Sequence, residues 1–412
     1  MLVHHLKMAW KVLLRRKFFT ALSLIGIGAT LMSLLIAVAL YDAAAGPHPP
    51  EKHPDRLLCS TLVTLDMGGG PMRMWPSQWL LSKTLAPVRA HAKVGIASTQ
   101  PLPVVAYVRG HKLALNMKAA DAGFWQVLNF RFREGGPYTA AQKGAGRPAV
   151  ISAGTARAYF GVDHGLVGRT LVIDQKNYRV QGVVEDVPAV RFHAHADVWV
   201  PYDPGAVDLQ VDNPFGTSEA LVLVPTAAAI PAVQSTFKRA LAALPMEPGA
   251  TMDLHLQPFG ESVTGRVLAQ YNWTQDPGRL FRWLSGGAVA LLLLLPAMNL
   301  VTMNVSRISE RATEIGVRKA FGATAGSLAG QFLVETLLLT LLGGVVGLAL
   351  ATAVLHGLAG SYLAAYGRIE PNLVVFGWAL LGSLVFGLLS GAYPAYRMAR
   401  LPAIEALKNA QA

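Results

Sequence analysis

The chain has 412 residues, of which 52% are hydrophobic and only 15% charged, against about a quarter charged in an ordinary soluble domain. The deficit lies in a few long apolar runs, which excludes a purely soluble protein. The net charge of +12 collects beside those runs, as membrane topology requires, so no nucleic-acid partner is needed to explain it.

In chain order, residues 1–17 predict an amphipathic cytoplasmic helix. Leu2, Leu6, Ala9 and Leu13 share one face and Lys7, Lys11 and Arg15 another, the pattern of a helix lying against membrane lipid at the inner leaflet. A transmembrane helix is expected over 18–41. Ala43-Ala44-Ala45 resembles a signal-peptidase site, but the apolar stretch exceeds the roughly 7–15 residues of a signal-peptide core, so it reads as an uncleaved anchor. Three more transmembrane helices are expected over 283–305, 328–356 and 372–396, each reaching the roughly 20 residues that cross a bilayer. The fold class is therefore an integral membrane α-helical protein with four spans. A large external mixed α+β domain, 42–282, is inserted between the first and second.

Basic residues set the orientation. Lys7, Lys11, Arg15, Arg16 and Lys17 precede the first span, Arg307, Arg311, Arg318 and Lys319 follow the second, and Arg397, Arg400 and Lys408 follow the fourth. The short 357–371 loop has only Arg368, offset by Glu370. Both termini, including the 397–412 tail, and the 306–327 loop are thereby cytoplasmic, and 42–282 is external.

The external domain opens with the linker Gly46-Pro47-His48-Pro49-Pro50 and is large enough for two subdomains. Strands are expected at Arg56–Leu65, Val104–Arg109, Leu113–Met117, Ala149–Ile151, Thr170–Ile173, Tyr178–Val184, Val198–Val200 and Ala220–Val224, with a hairpin turn at Gln175-Lys176-Asn177. Helices are expected at Pro76–Leu85, Thr155–Phe160 (stopped by Gly161) and Ala227–Leu244. Cys59, the single cysteine, has no partner for an internal disulfide, so this domain must hold by its core.

Candidate chemistry is sparse. The sequence has no GxxxxGK[ST] phosphate loop, no HExxH and no CxxC. His193 and His195 would share one face of a strand, but without a neighbouring ligand cluster they read as surface residues and no metal is expected. Glu185 and Asp186, adjacent on a strand, would face opposite ways and read as a solvated turn rather than a catalytic pair. The denser constellation is the cytoplasmic loop. As a helix, it places Arg307, Arg311, Glu314 and Arg318 on one face, with Ile308, Ala312 and Ile315 as an apolar side. Glu314 and Arg318 sit at the pairing distance of four. A solvated helix tip is one reading, and a docking element for a cytoplasmic protein is the sharper one. Glu335 lies inside the third span, where a carboxylate is costly. It is expected to anchor the span to Asn299 or Asn304 of the second, with a proton relay as the alternative. Gly343-x-x-x-Gly347 and Gly387-x-x-x-Gly391 allow close helix packing in lipid.

Residues 309–324, Ser-Glu-Arg-Ala-Thr-Glu-Ile-Gly-Val-Arg-Lys-Ala-Phe-Gly-Ala-Thr, and then Gln331-Phe332-Leu333-Val334-Glu335 form a long, specific motif. So do Tyr393-Pro394-Ala395, Arg397, Arg400 and Pro402-Ala403-Ile404-Glu405-Ala406-Leu407 at the C-terminus. On these motifs, and more weakly on 149–161, 168–187 and 197–202, the chain resembles the MacB/FtsX-type permease subunits of ABC transporters over nearly its whole length. The resemblance implies an inner-membrane permease dimer, made with a second copy or a paralogue. It implies that a cytoplasmic ABC ATPase binds the ATP and Mg, leaving this chain no cofactor and no catalytic residue. It makes 306–327 the coupling helix, with Arg307, Ile308, Glu310, Arg311, Glu314, Ile315, Arg318 and Lys319 meeting the ATPase. MacB carries its ATPase fused at the N-terminus and this sequence shows none, so a separate ATPase subunit is expected. The implied function is export of compounds or peptides from the periplasm with a periplasmic adaptor protein. The alternatives are an FtsX-type regulator, for which this external domain is large, and a lipoprotein-extracting permease.

Overall fold

The computed structural model describes residues 2–15, 17–139, 147–202, 213–245, 248–263, 283, 287, 324–358, 372–374, 376–385 and 388. Two compact units emerge: 1–41 with 282–364 and 368–412, and 42–281 with 365–367.

The first unit is helical. It contains α1 (Leu2–Arg15), most of α2 (Lys17–Ala45) and a long helix near the C-terminal side, α7 (Ala325–Leu358). Thr20–Ala43 and Leu333–Gly357 are each long and apolar enough to cross a membrane, and Phe376–Val385 is a shorter apolar helix. α1 packs against α7 and buries Ala9 and Leu13 while leaving Trp10 and Leu14 exposed. Along α7, residues four apart at Leu339, Gly343, Gly347, Ala351 and Leu355 form one buried ridge, and Leu341, Val345, Leu350 and Val354 stay exposed. A helix with an apolar exterior as well as an apolar seam suits lipid as solvent. Apart from Trp283 and Gly287, the expected second span lies outside the described residues, as do 389–396 of the fourth.

The second unit is two lobes sharing a core. The first lobe is built on β1 (Leu57–Ser60), β4 (Lys93–Ser98), β13 (Ser218–Leu223) and β15 (Leu256–Pro258), in the antiparallel order β15-β1-β13-β4. α3 (Gln78–Leu85) lies between β1 and β4 in sequence, and α6 (Ile230–Ala242) between β13 and β15. This is a split β-α-β plan whose β4–β13 connection holds an inserted second lobe. A small side sheet, β12-β3-β2-β14, joins Phe215–Gly216, Pro71–Pro76, Val63–Asp66 and Thr251–Asp253. The period-two pattern places alternate residues of the central sheet in different cores. Leu58, Val94, Ile96, Ala220 and Val222 pack with Leu81, Leu85, Phe237 and Leu241 of α3 and α6. Leu57, Cys59, Ala97 and Leu221 pack with Phe124, Trp125 and Trp199 on the opposite face.

In the second lobe, β5 (Leu102–Val108), β6 (His111–Ala119), β8 (Pro148–Ser152), β9 (Thr170–Ile173), β10 (Lys176–Val184) and β11 (Val198–Val200) pair in a ring, because β9 meets both β5 and β10. β7 (Phe132–Gly135) adds to β10 outside the ring. Val104/Ala106, Ala149/Ile151, Leu171/Ile173, Tyr178/Val180 and Val198/Val200 alternate inward to one core. That is how a small closed barrel fills its interior.

The sequence expectations are corrected in three places. The strand expected over Arg56–Leu65 is two strands, β1 and β2, which belong to different sheets. The β9–β10 turn sits at Asp174 and Gln175, with φ of 45° and 63°, so Lys176 and Asn177 are already paired strand. Two consecutive positive φ values suit the twist of a tight hairpin, and Asp174 Oδ1 accepts from the Val105 N–H at 3.0 Å. The histidine pair is not a surface strand, as described below. At α5 (Ala153–Phe160), Gly161 closes the helix at φ 75°, the stop expected there, and Ser152 Oγ adds an N-cap by accepting from the Thr155 N–H at 3.1 Å.

Candidate functional site

Arg307, Ile308, Glu310, Arg311, Glu314, Ile315, Arg318 and Lys319 of the coupling segment lie outside the described residues, as do Asn299, Asn304, Gly387 and Gly391. The remaining sequence-predicted site residues, Glu335, Gly343 and Gly347, all sit on α7.

Gly343 and Gly347 face α2. A Cβ built on Gly343 would lie 2.7 Å from Ile27 Cγ2. One on Gly347 would lie 2.9 Å from the Gly28 carbonyl oxygen and 3.0 Å from Leu31 Cβ. From the other side, a Cβ on Gly28 would meet Val346 Cγ1 at 3.1 Å and Gly343 O at 3.5 Å. At Gly347 the backbone of α2 comes too close for a Cβ, and Gly343 and Gly28 complete the seam. Lipid tails are as apolar as leucine, so such close van der Waals fit is what holds membrane helices together. Gly28 had drawn no attention in the sequence. Its signal was Gly26-Ile27-Gly28 inside a long apolar run.

Glu335 is buried, and Gln331 Nε2 on the preceding turn donates to its Oε1 at 3.1 Å. Thr336 and Thr340 are buried beside it in sequence. Glu335→Gln should retain assembly and most activity, because an amide still accepts that bond. Glu335→Leu should lower the yield of folded protein by leaving polar neighbours unmatched. Both are read by size-exclusion profiles in detergent and by activity. A Gln variant that assembles but is inactive would favour the proton relay instead.

The external unit holds a polar hub that sequence reasoning missed. Lys118 on β6 and Glu219 on β13 are both 0% exposed, with Lys118 Nζ 3.2 Å from Glu219 Oε1 and 3.0 Å from the Phe192 carbonyl. His193 Nδ1 meets the other carboxylate oxygen at 2.8 Å, and Ser262 Oγ lies 3.2 Å from His193 Nε2. His195 instead turns to the Val187 carbonyl at 2.7 Å. The two histidines therefore part, because 191–196 is a set of turns rather than a strand. The serine–histidine–carboxylate order mimics a hydrolytic triad, but Ser262, His193 and Glu219 are all buried. No substrate reaches that hydroxyl, and the set fastens the two lobes instead. The partners lie 101, 26 and 69 positions apart, so no local pattern announces them. Glu185 and Asp186 are half exposed. Asp186 accepts from the Gly154 N–H and from Arg157 at the start of α5, and Glu185 pairs with Arg131.

The family model of the MacB-like periplasmic core domain matches residues 20–240, and that of the FtsX-like permease C-terminal region matches 286–403. The macrolide export ATP-binding/permease protein MacB of Nitrobacter winogradskyi is 28% identical over 296 residues, 72% of this chain and 44% of that protein. The pyoverdine export ATP-binding/permease protein PvdT of Pseudomonas aeruginosa is 24% identical over 423 residues, 99% of this chain and 59% of that protein. The ABC transporter permease YknZ of Bacillus subtilis is 26% identical over 293 residues, 69% of this chain and 68% of that protein. The chain thus spans 44–59% of the length of the first two of these relatives. Among solved structures, a permease domain from Porphyromonas gingivalis aligns with 51% of this chain and 92% of its own length, at a TM-score of 0.38 and 17% identity. The periplasmic region of MacB from Actinobacillus actinomycetemcomitans aligns with 52% of this chain and 92% of its own length, at 0.34 and 11%. One family model covers more than half of the chain and the other most of the remainder, in the order the apolar runs had set out. The chain belongs to the MacB/FtsX-type ABC transporter permeases, membrane proteins that carry a MacB-like periplasmic domain.

Proposed function

We propose that this permease couples ATP hydrolysis by a cytoplasmic ABC ATPase to movement of its periplasmic domain, and so drives export of a compound or peptide from the periplasm. It works as a dimer of four-span protomers in the inner membrane, with a periplasmic adaptor receiving the cargo. The observation that carries this reading is alignment along 99% of the chain with a protein named for pyoverdine export. The 306–327 segment gives the machine its handle. It joins a helix-compatible charged face to an apolar side formed by Ile308, Ala312 and Ile315. The ATP and Mg belong to the ATPase, and this chain contributes motion rather than chemistry.

The competing function is an FtsX-type regulator that moves without cargo. Comparing small molecules and peptides in the medium and the periplasm of wild-type and permease-deleted cells separates them. The export reading expects at least one compound to fall outside and accumulate in the periplasm on deletion. The Glu310→Lys/Glu314→Lys variant should reproduce that pattern while ATP hydrolysis continues, because reversed charges break register before they break binding. Unchanged pools accompanied by altered cell-wall hydrolysis would make it a regulator.

A further inference from the structure

α2, which carries the first span, ends at Ala45, where the last carbonyls of a helix lack helical partners. Gly46 N–H donates to Asp42 O at 2.7 Å. Arg191 supplies the rest: Nη2 donates to Asp42 O at 3.3 Å and Nη1 to Gly46 O at 2.9 Å, from 149 and 145 positions away. A guanidinium is thus fixed at the negative end of the helix dipole. Its counter-charge is Glu51, with Nη1 and Oε2 3.5 Å apart and both side chains almost wholly buried. Neither Glu51 oxygen finds a partner at hydrogen-bond geometry, so an ionised Glu51 has exchanged its water for the pull of Arg191, its own backbone N–H and the more distant Lys118.

Among the described residues, the charges bearing on Glu51 and Arg191 include Asp42, which His48 Nε2 meets at 2.7 Å. Arg191 and Lys118 favour its ionised form and Glu219 opposes it. His193 is bonded to Glu219, and Asp42 acts on Arg191. Desolvation outweighs these pulls and is the largest cause acting on the buried carboxylate. We infer that Glu51 and Arg191 form a proton-controlled clamp on the outer end of the first membrane helix, tightest when Glu51 carries a proton and loosened when it ionises.

The sign follows from linkage. Burial, against the pull of Arg191 and Lys118, raises Glu51 from 4.5 to about 7 in the closed clamp, whereas a Glu51 released into water returns to the ordinary value. The closed form therefore holds the proton more tightly. Opening is least below about pH 4.5, grows by up to about tenfold per pH unit between there and about 7, and levels off above, where both forms are ionised. An acid exterior therefore holds residues 42–46 on Arg191, and neutral medium frees them. The consequence for transport rests on the coupling function proposed above, but the clamp itself does not.

Hydrogen exchange on the full chain in nanodiscs tests it, following amides 42–51 at pH 5 and 7.5. Rates are corrected for intrinsic exchange and compared with the β13 amides 218–223. The clamp predicts protection of 42–51 at least tenfold lower at pH 7.5, with β13 unchanged. Glu51→Gln, which cannot ionise, should hold the high protection at both pH values. Equal wild-type protection at the two pH values overturns the inference, and so does a Gln variant that keeps the wild-type pH response. If the Gln variant also loses β13 protection, the wild-type comparison decides alone. Failure of the export reading would leave this exchange pattern intact, whereas failure of the clamp would remove it with transport unaffected.

Discussion

Replacing Lys118 with methionine is expected to destabilise the periplasmic domain by about 3–5 kcal/mol, the scale of breaking a buried ion pair from one side. Methionine fills nearly the same space, so the change isolates the charge. Glu219 keeps its bond to His193 but loses its cation, and its carboxylate is 0% exposed. A loss of that size is a large part of the roughly 5–15 kcal/mol that holds a domain folded. The double variant Lys118→Met/Glu219→Gln should recover most of the loss, because removing both partners of a pair costs far less than orphaning one. Urea unfolding followed through buried Trp125 and Trp199 reads both variants. A double variant as unstable as the single one would show that the charge pair is not what fastens the lobes.

Gly347→Leu is expected to separate α2 and α7. A single Cβ there already stands 2.9 Å from a backbone oxygen of α2, and a carbonyl cannot rotate away as a side chain does. Overpacking of this kind costs about 1–3 kcal/mol or more, and in lipid no hydrophobic drive between helices compensates for it. Gly343→Leu should act likewise through Ile27, Gly347→Ala should be intermediate, and Val345→Leu, on the exposed flank, should be neutral. Thermal stability of the purified permease in detergent ranks the four. Equal stabilities for Gly347→Leu and Val345→Leu would mean that the seam does not hold the helices.

Legibility followed the range of the forces. The barrel strands could be read because inward residues alternate strictly, as at Leu171/Ile173 and Val198/Val200. α5 could be read because Gly161 stops it, while its Ser152 cap was passed over. The division of 57–66 into β1 and β2 was hidden, since an apolar run that changes sheets looks continuous in sequence. Cys59 is fully buried in the shared core, which an isolated cysteine cannot signal. The polar sites were the least legible. Lys118 with Glu219, and Arg191 with Glu51, meet only through the topology of the inserted lobe, and His193 read as surface for want of a neighbour that the chain supplies 26 residues later. The helix seam was half legible: the α7 glycines stood out by spacing, and their partner Gly28 did not.

The central claim is that the 306–327 segment holds the ATPase, and Ile315→Asp tests it most directly. Apolar anchors carry most of the affinity of a docked helix, while rim charges set encounter and register. Arg318→Ala should therefore weaken function modestly, and a carboxylate at 315 should release the partner. The measurement is co-purification of the ATPase with the permease, together with permease-stimulated ATP hydrolysis in nanodiscs. The account predicts that both are lost in Ile315→Asp while the periplasmic domain unfolds at its wild-type urea midpoint. Retention of both would contradict it.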